Sequence, residues 1–172
     1  MFKWTASKIQ KEADFAFLEE GIFLWVINWK LIPPHIALSK NGRYFSVTIK
    51  EAQVDKEIQA LTRLFEKKQK PVFFVRFNAR IQLEERELKE GFQIELSDGR
   101  TCLEPVNKVL FGDAEQFDTV ADLLAALDAS GLIKSVHVPT YTNEDQIGVF
   151  EYSKKTVAGF INSKRLENAI TK

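Results

Sequence analysis

Runs of apolar residues and alternations of apolar with polar ones assign most of this chain before any chemistry is considered. Ile22 to Ile27 is continuously apolar, which suits a short strand buried on both faces. From His35 to Thr48 two alternating segments flank Asn41-Gly42. That dipeptide predicts a β-hairpin, because a two-residue turn of type I′ needs positive φ at both central positions. With that turn, Ser39 faces Tyr44, Ala37 faces Ser46 and His35 faces Thr48, all on one side of the sheet. Ile36, Leu38, Phe45 and Val47 fall on the other side, the expected core face. Trp29 to Pro34 reads as a loop stiffened by Pro33-Pro34. Val72 to Phe77 is a further β-prone run.

Helical spacing fills most of the remainder. Ser7 and Gln10 resemble a capping box, followed by Ile9, Ala13, Ala16 and Phe17 at helical intervals and by Gly21 as a stop. Asp55 is positioned to cap a helix carrying Ile58, Leu61, Leu64 and Phe65. Ala79 to Glu90 is charged and predicts a surface helix, Phe92 to Leu96 alternates like a strand, and Asp98-Gly99 marks a turn. Cys102 to Phe111 reads as a helix with Thr101 as its N-cap, in which Pro105 is tolerated near the start. Asp118 or Thr119 opens a helix with Val120, Leu123, Leu124 and Leu127 on one face and Gly131 at its end. Val136 to Val138 and Ile147 to Tyr152 predict strands, and Lys154 to Ile170 a final helix. Strands and helices are mixed, one hairpin is antiparallel, and no repeat or linker divides the chain. The expected fold is therefore a single α+β domain over residues 1–172, an antiparallel sheet flanked by helices.

Composition narrows the function classes. Fourteen Phe and three Trp among 172 residues exclude a disordered chain. Lys plus Arg number 24, as do Asp plus Glu, so the basic excess typical of nucleic-acid binding is missing. Lys67-Lys68-Gln69-Lys70 is the densest basic run, and it fits a helix C-terminus, where cations meet the dipole and solvent. Met1 to Gln10 is too polar for a secretory signal, and the Gly21–Asn28 run is too short to span a bilayer. A lone cysteine does not call for an oxidising compartment. The expected location is the cytoplasm, with no nucleic-acid partner and no transmembrane segment.

The candidate chemistry is Cys102 with His35. A cysteine at a helix start can have its thiol pKa lowered by the positive end of the dipole. An imidazole beside it would carry its proton, and a third polar group would orient the imidazole. The hairpin register offers Ser46 and Thr48 for that third role, and the small Ala37 leaves room for a helix end. The packing alternative is plain: Cys102, Val106, Val109 and Leu110 follow core spacing, and a free cysteine is among the most buried residue types. His137, between Val136 and Val138, is the rival imidazole. One Cys and two distant His lack zinc-ligand spacing, and neither a phosphate-binding glycine loop nor a Gly-x-Ser-x-Gly elbow is present. No cofactor or metal is expected. Glu84, Glu85 and Glu87 read as a solvated helix face.

Gly21 to Val26, a loop, then His35-Ile36-Ala37-Leu38 with Asn41-Gly42 resemble the opening strand and histidine hairpin of the circularly permuted branch of NlpC-type, papain-like amidases and acyltransferases. Thr101-Cys102 followed by Val106 and Val109-Leu110 resembles that branch's nucleophile helix. The resemblance spans roughly Gly21 to Phe111. It implies a permuted papain-like fold, Cys102 as nucleophile and His35 as base. Ser46 or Thr48 stands where the family has its third polar residue. The activity implied is that of a thiol hydrolase or acyltransferase acting on an amide or ester. Whether the substrate is a small molecule, a peptide or a lipid is not encoded in these residues. The other class is a non-catalytic domain that binds a small ligand or a protein partner.

Overall fold

The computed structural model describes residues 1–93 and 101–170. Its elements are β1 (Phe2–Thr5), β2 (Ile9–Glu12), a 3₁₀ turn (Ala16–Glu19), β3 (Ile22–Ile27), β4 (His35–Lys40), β5 (Arg43–Val47), β6 (Ala52–Glu57), α1 (Gln59–Lys68) and β7 (Val72–Phe77). The chain continues through α2 (Glu85–Phe92), α3 (Leu103–Phe111), α4 (Val120–Ala129), β8 (Ile133–Pro139), β9 (Gly148–Phe150) and α5 (Lys154–Ile170). Seven strands form one sheet in the order β2-β8-β7-β3-β4-β5-β6, and β1 with β9 form a separate ribbon. Every pairing is antiparallel except β2 with β8. The class is α+β, a mostly antiparallel sheet flanked by helices.

Both faces of the sheet are covered, which is why β3 is apolar throughout. Leu24, Val26, Ile36, Leu38, Phe45, Val47, Phe73 and Val75 enter one core, with Leu88, Phe92, Val106 and the α4 leucines packed against them. Phe23, Trp25, Ala37, Tyr44 and Phe74 enter a second core, closed by Leu18, Ile58 and Phe65. Period-two alternation directs neighbouring residues to opposite layers. The hairpin face expected to carry polar residues is thus also interior: Ser39 and Ser46 are fully buried, and Trp25 Nε1 donates to Ser39 Oγ at 2.8 Å.

The hairpin turn is as expected. Asn41 and Gly42 have φ of 47° and 75°, and Ser39 pairs with Tyr44 and Leu38 with Phe45. The paired register covers Leu38–Lys40 against Arg43–Phe45, and the expected His35–Thr48 pair is not part of it.

Several expectations are corrected. Residues 9–12 are a strand, not a helix: Lys8 turns with φ 54°, and Ile9 to Glu12 pair with Val136 to Pro139. A four-position helical coincidence yielded to hydrogen bonding with a strand more than a hundred residues away. Asp55 caps no helix. It lies in β6 with φ 57°, where Arg43 Nε donates to it at 2.7 Å and Lys89 Nζ lies at 3.1 Å. The helix expected over 79–90 starts at Glu85, set by a capping box between Glu84 and Glu87. Phe92 is buried in that helix rather than opening a strand. The rest of the strand proposed to Leu96, and Asp98-Gly99, lie outside the described residues. At α3 the N-cap is Cys102 rather than Thr101. The helices from Val120 and from Lys154 stand as expected, with Thr119 Oγ1 accepting from the Asp122 amide at 3.1 Å.

Candidate functional site

His35 is the first residue of β4, placed there by Pro34, which favours extended backbone and cannot extend the strand's hydrogen bonding. Cys102 stands at the N-terminus of α3, whose Leu103 and Val106 dock the helix on the first core. These two packing constraints bring residues from opposite halves of the chain to one place. His35 and Cys102 both line a cavity of about 510 Å³. The 28–34 loop and the 47–50 segment form part of its wall. Thr101, Leu103, Val120 and Tyr152 contribute, and α5 completes it with Val157, Phe160, Ile161 and Lys164.

The imidazole is held from one side. Its Nε2 lies 2.7 Å from Ser46 Oγ; the Tyr44 phenol nearby is pushed up to about 12 by burial, which Ser46 offsets only in part. Nδ1 has no hydrogen-bond partner among the described residues. Burial, with a smaller repulsion from Lys70, pushes the His35 imidazole down to about 4, so it is a neutral base at pH 7. The expected second orienting group, Thr48, is used elsewhere. Its hydroxyl accepts from the Lys50 and Glu51 amides at 3.2 and 3.1 Å and donates to the Glu51 carbonyl. Thr48 builds the turn into β6 and lines the cavity without a hydrogen bond to the imidazole.

The thiol differs from expectation in one respect. Burial pushes the Cys102 thiol up, and the Ile36 and Cys102 backbone amides offset this only in part. Desolvation outweighs the helix dipole here, because the sulfur sits against the sheet rather than in the open end of the helix. No hydrogen bond joins Cys102 to His35. The free protein therefore carries a neutral thiol and a neutral imidazole facing one cavity.

Comparisons with protein-family models, with curated proteins and with solved structures found no match. The site is therefore read from its own geometry.

His137 does not join it. Its Nδ1 lies 2.6 Å from Glu12 Oε1 and its Nε2 lies 2.8 Å from Ser135 Oγ. Phe17 stacks on the ring at 4.8 Å between centroids. Carboxylate, imidazole and hydroxyl follow the order of a hydrolytic relay. Yet Ser135 is only 5% exposed, and none of the three lines the cavity. The cluster fastens β2 to β8. Among the described residues no group of three or more His, Cys, Asp or Glu is placed to hold a metal ion.

Sequence reasoning missed Tyr152 and the α5 contribution. The spacing of Val157, Phe160 and Ile161 marks an apolar helix face, but nothing local says which surface it covers. Tyr152 does have a structural role that fixes the helix start: its hydroxyl accepts the Val120 amide at 2.8 Å.

Proposed function

We propose that this protein is a thiol hydrolase or acyltransferase acting on an amide or ester, with Cys102 as nucleophile, His35 as general base and Ser46 as the group that orients His35. The observation that carries this reading is that His35, held through Nε2, and Cys102 line one cavity. With Nε2 engaged by Ser46, Nδ1 is the nitrogen left to act. It takes the thiol proton as sulfur attacks the carbonyl carbon, and returns it to the departing amine or alcohol. Water, deprotonated by the same nitrogen, or an acceptor nucleophile then cleaves the thioester. Because the resting pair is neutral, the proton moves during attack rather than before it. A single free cysteine suits a reducing compartment, and the cytoplasm is the proposed setting.

A second reading rests on the raised thiol and the missing thiol–imidazole hydrogen bond: the cavity binds a small apolar ligand without chemistry. Iodoacetamide labelling followed by mass spectrometry across pH separates the two. A nucleophile served by His35 labels faster near neutral pH than its raised thiol pKa alone allows, and that advantage disappears in His35→Ala. Labelling that follows an ordinary buried thiol, unchanged by His35→Ala, rejects the catalytic reading and leaves the ligand-binding one.

A further inference from the structure

The mouth of this cavity is unusually apolar on its outside. Leu31 is 59% exposed, Ile32 42%, Ile49 38% and Phe160 39%. Scattered exposed apolar side chains need no explanation. Here, however, three of the eight large exposed apolar residues among those described, Leu31, Ile49 and Phe160, line one cavity from three separate segments, and Ile32 adjoins Leu31. Those segments are the 28–34 loop, the turn after β5 and α5. Met1, Ile9, Leu64 and Leu166, the other four, do not line the cavity.

The arrangement distinguishes between occupants. The three lining side chains come from separate parts of the chain, so they offer isolated apolar tips at one cavity rather than one continuous strip. A partner helix or strand needs a continuous groove or a free sheet edge to lie along. A lipid interface needs only tips that enter the boundary between headgroups and acyl chains. The charges at the mouth point the same way. Lys50 and Lys164 line it; Lys50 makes no ion pair among the described residues, while Lys164 is paired with Glu167 at 2.7 Å. The one carboxylate in the lining, Asp118, is paired with Lys154 at 3.0 Å. Lysines beside projecting apolar side chains suit an anionic lipid surface. No helix among the described residues is long and apolar enough to cross a membrane, so the contact would be peripheral.

We infer that the rim formed by Leu31, Ile49 and Phe160, with Lys50 and Lys164, docks this protein on an anionic lipid surface with the cavity mouth facing the bilayer. This goes beyond the catalytic reading and does not depend on Cys102 reacting. An amphiphile in the bilayer would then have a direct apolar route into the cavity, whether as substrate or as bound ligand.

Sedimentation with vesicles of phosphatidylcholine, alone or mixed with phosphatidylglycerol, tests it. The wild-type chain should partition onto the mixed vesicles, less so at high salt because surface charges are screened. The double variant Leu31→Asp/Ile49→Asp should lower the partition coefficient by about tenfold or more. Lys50→Glu/Lys164→Glu should remove the gain from phosphatidylglycerol, and Leu64→Asp, on the exposed side of α1, should change nothing. All five substituted sites are at least partly exposed, and circular dichroism confirms that the variants are folded. Absence of wild-type binding, or equal binding by the Leu31/Ile49 variant, overturns the inference. A wild-type dimer that this variant dissociates without vesicles also overturns it, by making the rim an interface between copies.

Discussion

The two histidines occupy the same sheet and have opposite fates. His137 has both ring nitrogens bonded, to Glu12 and Ser135, lies under Phe17 and is 3% exposed. His35 has one nitrogen bonded, to Ser46, and the other side of its ring borders a cavity that also holds the only cysteine. His137 is the more buried of the two, but His35 is itself half-buried, and burial alone does not account for the difference. What separates them is whether a nitrogen remains available and whether anything can reach it. A relay in the right order is chemically silent when it is packed shut, as around Ser135. A partial relay beside an open cavity is a candidate for chemistry.

The largest effect should come from His137→Ala. It removes two hydrogen bonds and a ring stack, and leaves Glu12 and Ser135 without their partner. Chemical denaturation should show a loss of about 3 kcal/mol, while the Cys102 labelling rate of the folded protein stays within about twofold. A folded His137→Ala protein with slow labelling would break the comparison, because His137 would then serve the site.

His35→Ala should behave in the reverse way. Its cost in stability should be about 1 kcal/mol, but labelling of Cys102 near neutral pH should slow by about a hundredfold, the low end of general-base contributions. Ser46→Ala should give a smaller decrease of about tenfold, since it acts only by orienting the ring. Equal loss in both would mean that Ser46 takes part in more than orientation.

Acid sharpens the contrast further. Unfolded histidine titrates near 6.5, whereas His35 in the fold titrates at about 4. Between those values the unfolded chain binds the extra proton, so stability is full above about 6.5 and declines as pH falls toward about 4. The loss specific to His35, taken as wild type minus His35→Ala, should be on the order of 2 kcal/mol, because the ring is not wholly sealed from the cavity. A proton NMR titration that places the His35 ring near 6.5 would sink this account of its burial.

The smallest effect is expected at Asp55, away from both histidines. Arg43 first, then Lys89, holds its carboxyl below the usual range. That stabilises the fold above the unfolded carboxyl pKa, and the contribution disappears as pH falls through the lower folded value. The side chains are a quarter or more exposed, 25% for Asp55 and 38% for Arg43, so Asp55→Asn should cost about 0.5–1 kcal/mol at neutral pH. A larger loss would mean that this ion pair, rather than packing of α2 on β6, holds the α2 end of the first core.

Local chemistry determined what the sequence alone could decide. Asn41-Gly42 can adopt positive φ at low cost, so the hairpin and its tight register follow from two residues. Ile22–Ile27 is continuously apolar and Val72–Phe77 strongly β-prone, which marks both as strands, and Thr119 with Val120, Leu123, Leu124 and Leu127 states both the start and the buried face of a helix. The pairing of His35 with Ser46 was nearly legible, because alternation within the hairpin placed Ser46 on the right face. The tertiary structure decided the rest. Ile9–Glu12 became a strand because β8 supplied backbone partners that no local window contains. Asp55 found Arg43 and Lys89 instead of a helix to cap. Cys102 met His35 across a cavity because α3 docks on the first core, and its thiol rose rather than fell because desolvation depends on the surrounding atoms. The projection of Leu31, Ile49 and Phe160 around that cavity was equally illegible, since which apolar side chains stay in water is settled only when all the other surfaces have been paired.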